Sequence, residues 1–217
     1  MNLDIIPVKW TDEGVAMLDQ RLLPTEEKSA DKVPLLPKLN KPLAMLGMIT
    51  FCSMICEGAM FDWSGIYFQK VVQADRDLIG AGYTAFMCTM ATGRFVADWV
   101  THRVGFKRIV QGSGILIATG LTIAVAFPTL VTAIIGFLLV GFGVSSVVPL
   151  VYSEAGKSAK GAPGVALAAV SSIGFLGFLI GPPLIGMVAG LAGLQTSFMI
   201  IAVMGLSVAL VATLSKR

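Results

Sequence analysis

The chain has 217 residues, of which 55% are hydrophobic and 13% charged, and its formal net charge is +3. This composition, with a mean hydropathy of +0.82, excludes an ordinary water-soluble domain of this length. The small net charge gives no indication of nucleic-acid binding, so no nucleic-acid partner is expected.

Residues 1–42 are the only part of the chain with the character of a soluble segment, because they mix acidic and basic side chains with four prolines. They do not have the apolar stretch of a signal peptide. Within them, Thr11–Leu23 has the spacing of a short amphipathic helix that could lie on the membrane surface. An ordinary polar linker is the alternative. We therefore predict a cytoplasmic linker or amphipathic segment over 1–42.

Six apolar runs follow, at 43–69, 78–99, 109–127, 129–152, 163–189 and 192–214. A helix needs about 20 apolar residues to cross the hydrocarbon core of a bilayer, and each run has roughly that length. The runs are continuously apolar, whereas barrel strands alternate over about 10 residues. The sequence therefore predicts an all-α polytopic membrane protein, with six transmembrane helices over 43–214 and the lipid bilayer around them.

The basic residues predict the orientation of this bundle. Of the sixteen Lys and Arg residues, only Lys70 and Arg76 fall on one side when the runs alternate in direction. Positive charge is retained on the cytoplasmic side of membrane proteins. We therefore expect both termini in the cytoplasm and a location in the inner or plasma membrane.

Two acidic residues lie inside the first run. Glu57 is near its centre, and Asp62 and Trp63 follow toward its outer end. A carboxylate at the centre of a membrane helix is costly, so it usually faces a cavity or a partner and serves a transport pathway. Glu57 is the candidate for proton coupling, with a structural hydrogen bond as the alternative. Asp62 and Trp63 are candidates for a substrate cavity, although an acid this near the interface can also reach water.

Glycine and proline form a pattern in the fifth run. Small residues four positions apart let helix backbones approach closely in lipid, and paired prolines free backbone carbonyls and favour a bend. The fourth run has a related interruption, Gly141-Phe142-Gly143 followed by a proline. The residues assigned to packing or bending are Pro149, Gly177, Gly181, Pro182, Pro183 and Gly186.

A charged elbow, residues 93–108, is predicted between the second and third runs. Here the sequence resembles the Major Facilitator Superfamily, whose loop between the second and third helix of each half has a small residue, an Asp, a Gly and basic residues at fixed spacing. Arg103, Gly105, Lys107 and Arg108 keep this pattern. His102 stands where the family usually has Asp, and Asp98 where it usually has Gly. Arg94 and Asp98, at i and i+4, are predicted to form a substitute charge pair.

Three further segments strengthen the resemblance. Residues 57–64 are similar to the seventh helix of bacterial uncharacterised inner-membrane or sugar-permease-like members, 141–149 to their tenth helix, and 177–186 to their eleventh. The resemblance covers 43–214 as helices seven to twelve, with 1–42 as the linker between halves and the first six helices absent. It implies one half-bundle built as a 3+3 inverted repeat.

The resemblance implies a secondary active transporter of a small, polar solute, driven by a proton or other gradient. The solute would bind between two halves, so the expected partner is an N-terminal six-helix half or a second copy. An enzyme is not expected, because Gly-x-Ser-x-Gly is missing and His102 is the single histidine. No metal site or cofactor is expected either. A non-transporting membrane remnant or assembly protein is the remaining alternative.

Overall fold

The computed structural model describes residues 8–10, 16–18, 40–158 and 163–214. It divides into two units, Met1–Leu35 and Leu36–Arg217. In the first unit, β1 (Val8–Trp10) and β2 (Ala16–Leu18) pair antiparallel. The amphipathic helix predicted over Thr11–Leu23 is wrong for Ala16–Leu18, which form a strand, and the rest of it lies outside the described residues.

The second unit consists of α-helices over its described residues. Their bounds are α1 Lys41–Lys70, α2 Ala81–Val104, α3 Phe106–Ala126, α4 Leu130–Ser158, α5 Pro163–Ala192 and α6 Leu194–Leu214. Each of the six apolar runs forms one helix, which confirms the predicted all-helical membrane unit. Five helices are long and apolar enough to cross a membrane. The exception, α2, has the length, but its charged and threonine residues lower its hydropathy.

The link between α2 and α3 is much shorter than the sequence suggested. Helix α2 continues to Val104, α3 begins at Phe106, and Gly105 alone joins them. Gly105 has a φ of 87°, a left-handed backbone conformation that glycine adopts at little cost. The sequence predicts a break between residues 99 and 109 within the charged elbow over 93–108, and the structure reduces that break to one residue. Most of that segment is helical, because backbone hydrogen bonds continue across its polar side chains.

The helices pack as two interlocked groups of three. Helix α1 packs chiefly on α5, and α4 packs chiefly on α2 and α3. The first helix of each group therefore lies on the second helix of the other group, while α3 and α6, the third helices, pack on each other. Helices α1 and α4, the first of each group, are three helices apart along the chain. Because each helix crosses the bilayer once, the two groups run in opposite directions through it. This is the arrangement of an inverted 3+3 repeat.

An aromatic cluster fixes the end of the bundle that contains the last turns of α1. Tyr67, Phe137 and Phe198 are fully buried there, and the rings of Tyr67 and Phe198 lie 4.5 Å apart. The Tyr67 hydroxyl donates a hydrogen bond to the carbonyl oxygen of Ala124 at 2.8 Å. Burying a phenol requires such a partner, and this one ties α1 to the end of α3.

Candidate functional site

An ion pair joins the middle of α1 to the middle of α2. Glu57 lies about halfway along the 30 residues of α1, and Arg94 about halfway along the 24 residues of α2. The distance between Glu57 Oε1 and Arg94 Nη2 is 3.8 Å. A charged residue at such depth usually pairs with an opposite charge or faces a cavity. Glu57 and Arg94 pair with each other.

The two partners differ in exposure. The side chain of Glu57 is 12% exposed and that of Arg94 is 55% exposed. The carboxylate is therefore enclosed by the bundle, whereas one face of the guanidinium remains open. A single contact at 3.8 Å is longer than a charge-assisted hydrogen bond. The pair is consequently one that a proton on Glu57 or another anion beside Arg94 could separate.

This pairing corrects one inference from the sequence. The sequence predicts Arg94 in a cytoplasmic elbow, yet it lies ten residues, or about 15 Å of helix, before the end of α2. Glu57 therefore has an oppositely charged neighbour near the middle of the helices. The partner that the structure gives Arg94 is Glu57. The side chains of Asp98 and His102 lie outside the described residues, so the Arg94–Asp98 pair stays a prediction.

A cavity of about 550 Å³ opens between α1 and α5. It is lined by Asp62, Trp63, Ile66, Phe178, Leu179, Pro182 and Pro183. Of the described residues in this lining, Asp62 is the charged one, and its side chain is exposed. Glu57 and Asp62 thus meet different neighbours, α2 and α5, as their angular separation on one helix predicts.

The indole of Trp63 fixes one wall of this cavity. Its Nε1–H donates a hydrogen bond to the carbonyl oxygen of Pro182 at 3.1 Å. The ring also lies against Gly186, where an added Cβ would be 2.8 Å from Trp63 Cζ2. Glycine at 186 therefore leaves room for the indole, and Trp63 serves as a wall that is held by α5.

Phe61 lies between the cavity and the neighbouring helices, and no sequence pattern indicates it as a site residue. Its ring centroid lies 5.8 Å from that of Phe86 on α2 and 6.0 Å from that of Phe178 on α5. Edge-to-face contacts at these distances stabilise beyond simple burial. Only the position of Phe61 beside Asp62 could have indicated its role.

The double proline leaves α5 continuous and changes its backbone hydrogen bonding. Pro182 has no N–H, so the carbonyl oxygen of Phe178 loses its usual helical donor. That oxygen lies against Gly58, where an added Cβ would be 3.1 Å away. The prolines therefore bring a backbone acceptor up to α1. A functional bend at Pro182 and Pro183 stays a prediction. The same holds for Pro149, which is exposed and lies inside the continuous helix α4.

The remaining glycines of the pattern lie at the α1–α5 contact. A Cβ at Gly177 would be 2.5 Å from the carbonyl oxygen of Phe51, and one at Gly181 would be 3.1 Å from the Cα of Ile55. Packing supplies most of the association energy between helices in lipid. These glycines therefore set how closely α5 approaches the helix that carries Glu57 and Asp62.

Lys107, just after Gly105, bonds to the end of α6, which the sequence did not indicate. The Nζ of Lys107 donates a hydrogen bond to the carbonyl oxygen of Thr213 at 2.8 Å, and Gln111 Nε2 donates to Thr213 Oγ1 at 3.0 Å. A cation near the last carbonyls of a helix is favourable. Lys107 thus stabilises the end of α6, while Arg103 and Arg108 are exposed.

The cysteines do not form a ligand set. Cys52 and Cys56 are buried in α1 and Cys88 is exposed on α2. Within the described part of the chain, no group of three or more His, Cys, Asp or Glu residues is placed to hold a metal ion. The site that the structure builds therefore consists of the Glu57–Arg94 pair and the cavity between α1 and α5.

Known proteins are similar to this chain in sequence. A sequence profile described as Major Facilitator Superfamily matches residues 22–217. "Membrane protein MosC" of Rhizobium meliloti is 34% identical over 170 residues, which cover 78% of this chain and 42% of MosC. An uncharacterized MFS-type transporter of Yersinia pestis is 34% identical over 164 residues, which cover 76% of this chain and 43% of the relative. The chain thus spans less than half the length of these curated relatives.

Solved transporter structures have the same fold. The crystal structure of the peptide transporter POT with alafosfalin has a TM-score of 0.71 and 20% identity, over 79% of this chain and 37% of the other. The POT family transporter PepTSo has a TM-score of 0.70 and 15% identity, over 82% of this chain and 38% of the other. At this identity, the likeness is one of fold.

Proposed function

The chain belongs to the Major Facilitator Superfamily, and we propose that it is the C-terminal six-helix half of a secondary active transporter for a small, polar solute. It is a multi-pass membrane protein, and its similarity to transporters agrees with the expectation that it is not an enzyme. The matched residues cover 42% and 43% of these relatives, which is slightly less than one half of each. The inner membrane and cytoplasmic termini remain part of the proposal.

The observation that carries the proposal is the ion pair between Glu57 and Arg94 at mid-depth. A lone carboxylate there is costly, and either an arginine or a proton can neutralise it. Protonation would remove the charge of Glu57 and leave Arg94 positive and partly exposed, which gives the half two states, one with α1 linked to α2 and one without. Movement of a proton to and from Glu57 would therefore couple a gradient to the spacing of these helices.

The residues that line the cavity between α1 and α5 are the proposed solute-facing surface of this half. Asp62 offers a hydrogen-bond acceptor and Trp63 a flat apolar face, a combination typical of small-molecule sites. The opposite wall would come from the N-terminal six-helix half, as a separate chain or as a missing part, or from a second copy of this chain. Two halves that move against each other around such a cavity would give alternating access.

Proteoliposomes test the proposal directly. The chain is reconstituted alone and together with an N-terminal half, and a panel of sugars, amino acids and small amines is added against a trapped pH-sensitive dye. We expect proton movement with one solute class, uphill uptake that fails in Glu57→Gln, and solute exchange that survives in it. Glu154→Gln, which removes an acid near the end of α4, is the matched control and should behave as wild type.

The alternative is a membrane remnant or an assembly protein that moves no solute, and it is favoured only by the length of the chain relative to its relatives. It predicts no proton or solute movement in either preparation. Wild-type uphill uptake in Glu57→Gln would instead retain transport and exclude Glu57 as the coupling residue.

A further inference from the structure

A second cavity lies away from the ion pair, between α2 and α3. These consecutive helices each pack closely on α4 but make little contact with one another. The space left between them is a groove of about 220 Å³ whose floor is α4. Its walls are Gly93, Val96, Ala97, Val100 and Val104 of α2, Arg108, Ile109, Gly112, Ser113 and Leu116 of α3, and Phe142, Ser145 and Ser146 of α4.

The groove is held open by firm contacts on both sides of its floor. A Cβ at Gly93 would lie 2.8 Å from the Cβ of Ser145, so α2 is pressed against α4. A Cβ at Gly143 would lie 2.8 Å from the carbonyl oxygen of Ser113, so α3 is pressed against the same helix. Because α4 separates α2 from α3, the groove is a built feature of the bundle.

The chemistry of the groove changes along its length. Val96, Val100, Ile109 and Leu116 make the walls apolar, and the hydroxyls of Ser113 and Ser146 bond to each other at 3.1 Å. Among the lining residues that the structure describes, Arg108 is the one that carries a charge, and it lies one helical turn after the single-residue link at Gly105. The groove therefore has an apolar interior and a cationic mouth.

Its length matches one leaflet of a bilayer. Gly93 and Val104, the ends of the α2 wall, are eleven residues apart, or about 17 Å of helix. Half of a hydrocarbon core is about 15 Å. A chain that filled the groove would therefore end near the bilayer centre, with its polar end at the level of Arg108.

We propose that this groove binds an anionic phospholipid, with one acyl chain between α2 and α3 and the phosphate on Arg108. Basic pockets between transmembrane helices recognise anionic headgroups, and here the apolar wall and the guanidinium belong to the same cavity. Every residue of the site comes from this chain. Failure of the transport proposal would therefore leave the lipid site unaffected.

Native mass spectrometry of the purified chain measures the headgroup preference, with phosphatidylglycerol and phosphatidylcholine as probes. We expect retention of phosphatidylglycerol over phosphatidylcholine, and about a fivefold loss of that preference in Arg108→Gln, since one basic residue contributes about 1 kcal/mol. Arg76→Gln removes an exposed arginine outside the groove and should retain the wild-type preference. Equal retention of the two lipids by the wild type would overturn the proposal.

Filling the groove tests the acyl-chain half of the site. Gly112 has no atom within 4 Å of an added Cβ, so Gly112→Leu should enter the groove without a backbone clash and reduce binding of both lipids. Gly190, on α5, has equally open surroundings, and Gly190→Leu should leave binding unchanged. Unaltered lipid retention in Gly112→Leu would contradict the assignment.

A photoactivatable phosphatidylglycerol keeps the test independent of any variant. With a diazirine in the acyl chain, it should label wild-type peptides containing Val100 and Leu116. Labelling confined to other helices would overturn the proposal, and so would displacement of the lipid by soluble glycerol phosphate, because a free anion would then suffice. If a helix of a partner protein were the occupant instead, the lipid would be kept out of the groove, and Val100 and Leu116 would remain unlabelled.

Discussion

Glu57 on α1 and Arg94 on α2 form an ion pair between two helices that otherwise pack mainly on other neighbours. Their closest charged atoms are 3.8 Å apart, while α1 packs chiefly on α5 and α2 chiefly on α4. The pair is therefore a principal link between α1 and α2 at mid-depth. Breaking it leaves the packing on α4 and α5 intact, which makes it suited to a reversible change.

We expect this pair to contribute little to stability, because Arg94 is more than half exposed and solvent weakens the attraction. A double-mutant cycle with Glu57→Gln and Arg94→Gln should give a coupling of about 0.2–1 kcal/mol in thermal unfolding. Both single variants should fold, with uphill uptake lost and solute exchange retained in Glu57→Gln. A much larger coupling energy would instead identify the pair as a structural element of the bundle.

The predicted orientation can be measured by labelling. In a chain whose native cysteines are replaced by alanine, Thr129→Cys places a thiol just before α4, and Ser158→Cys places one at the end of the same helix. Positive charge on the cytoplasmic side leads us to expect that an impermeant maleimide labels Thr129→Cys in intact cells. Ser158→Cys should label only after permeabilisation. The opposite pattern would reverse the assigned topology.

The wall formed by Trp63 should depend on its hydrogen bond to Pro182. Trp63→Phe keeps an aromatic ring but removes the N–H donor, so we expect a loss of about 0.5–1.5 kcal/mol in the free energy of unfolding. Gly186→Ala should also destabilise, because its Cβ would meet the indole at 2.8 Å. Gly190→Ala, with no atom within 4 Å of the new Cβ, is the control. Equal melting temperatures for the two alanine variants would refute the close contact.

Two glycines of α3 provide a matched pair for the packing of the bundle. A Cβ at Gly120 would lie 2.5 Å from the carbonyl oxygen of Gly136, whereas one at Gly112 would meet no atom within 4 Å. We expect Gly120→Ala to cost about 1–3 kcal/mol through overpacking. Gly112→Ala should be neutral or stabilise by about 0.5–1 kcal/mol, because alanine favours the helix. Thermal unfolding in detergent distinguishes the two, and a stable Gly120→Ala protein would contradict the contact.

Much of the fold could be predicted because its main signal is local. A run of about 20 apolar residues is sufficient to indicate a membrane helix, and each of the six runs became one. The errors occurred where the signal was polar. The polar residues after position 99 predict the end of the second helix, but α2 continues to Val104, because a helix makes its backbone hydrogen bonds internally and its side chains can face water or a partner.

The sequence by itself determined the six helices, the glycine at the α2–α3 link and the candidate acids of α1, because each depends on neighbouring residues along one helix. Only the tertiary structure decided that Arg94 meets Glu57, that Trp63 bonds to Pro182, 119 positions away, and that α2 and α3 leave a groove between them. These contacts depend on which helices are adjacent and how deeply each is set. That order is fixed by glycine contacts and buried rings across the whole bundle, which no single run of residues specifies.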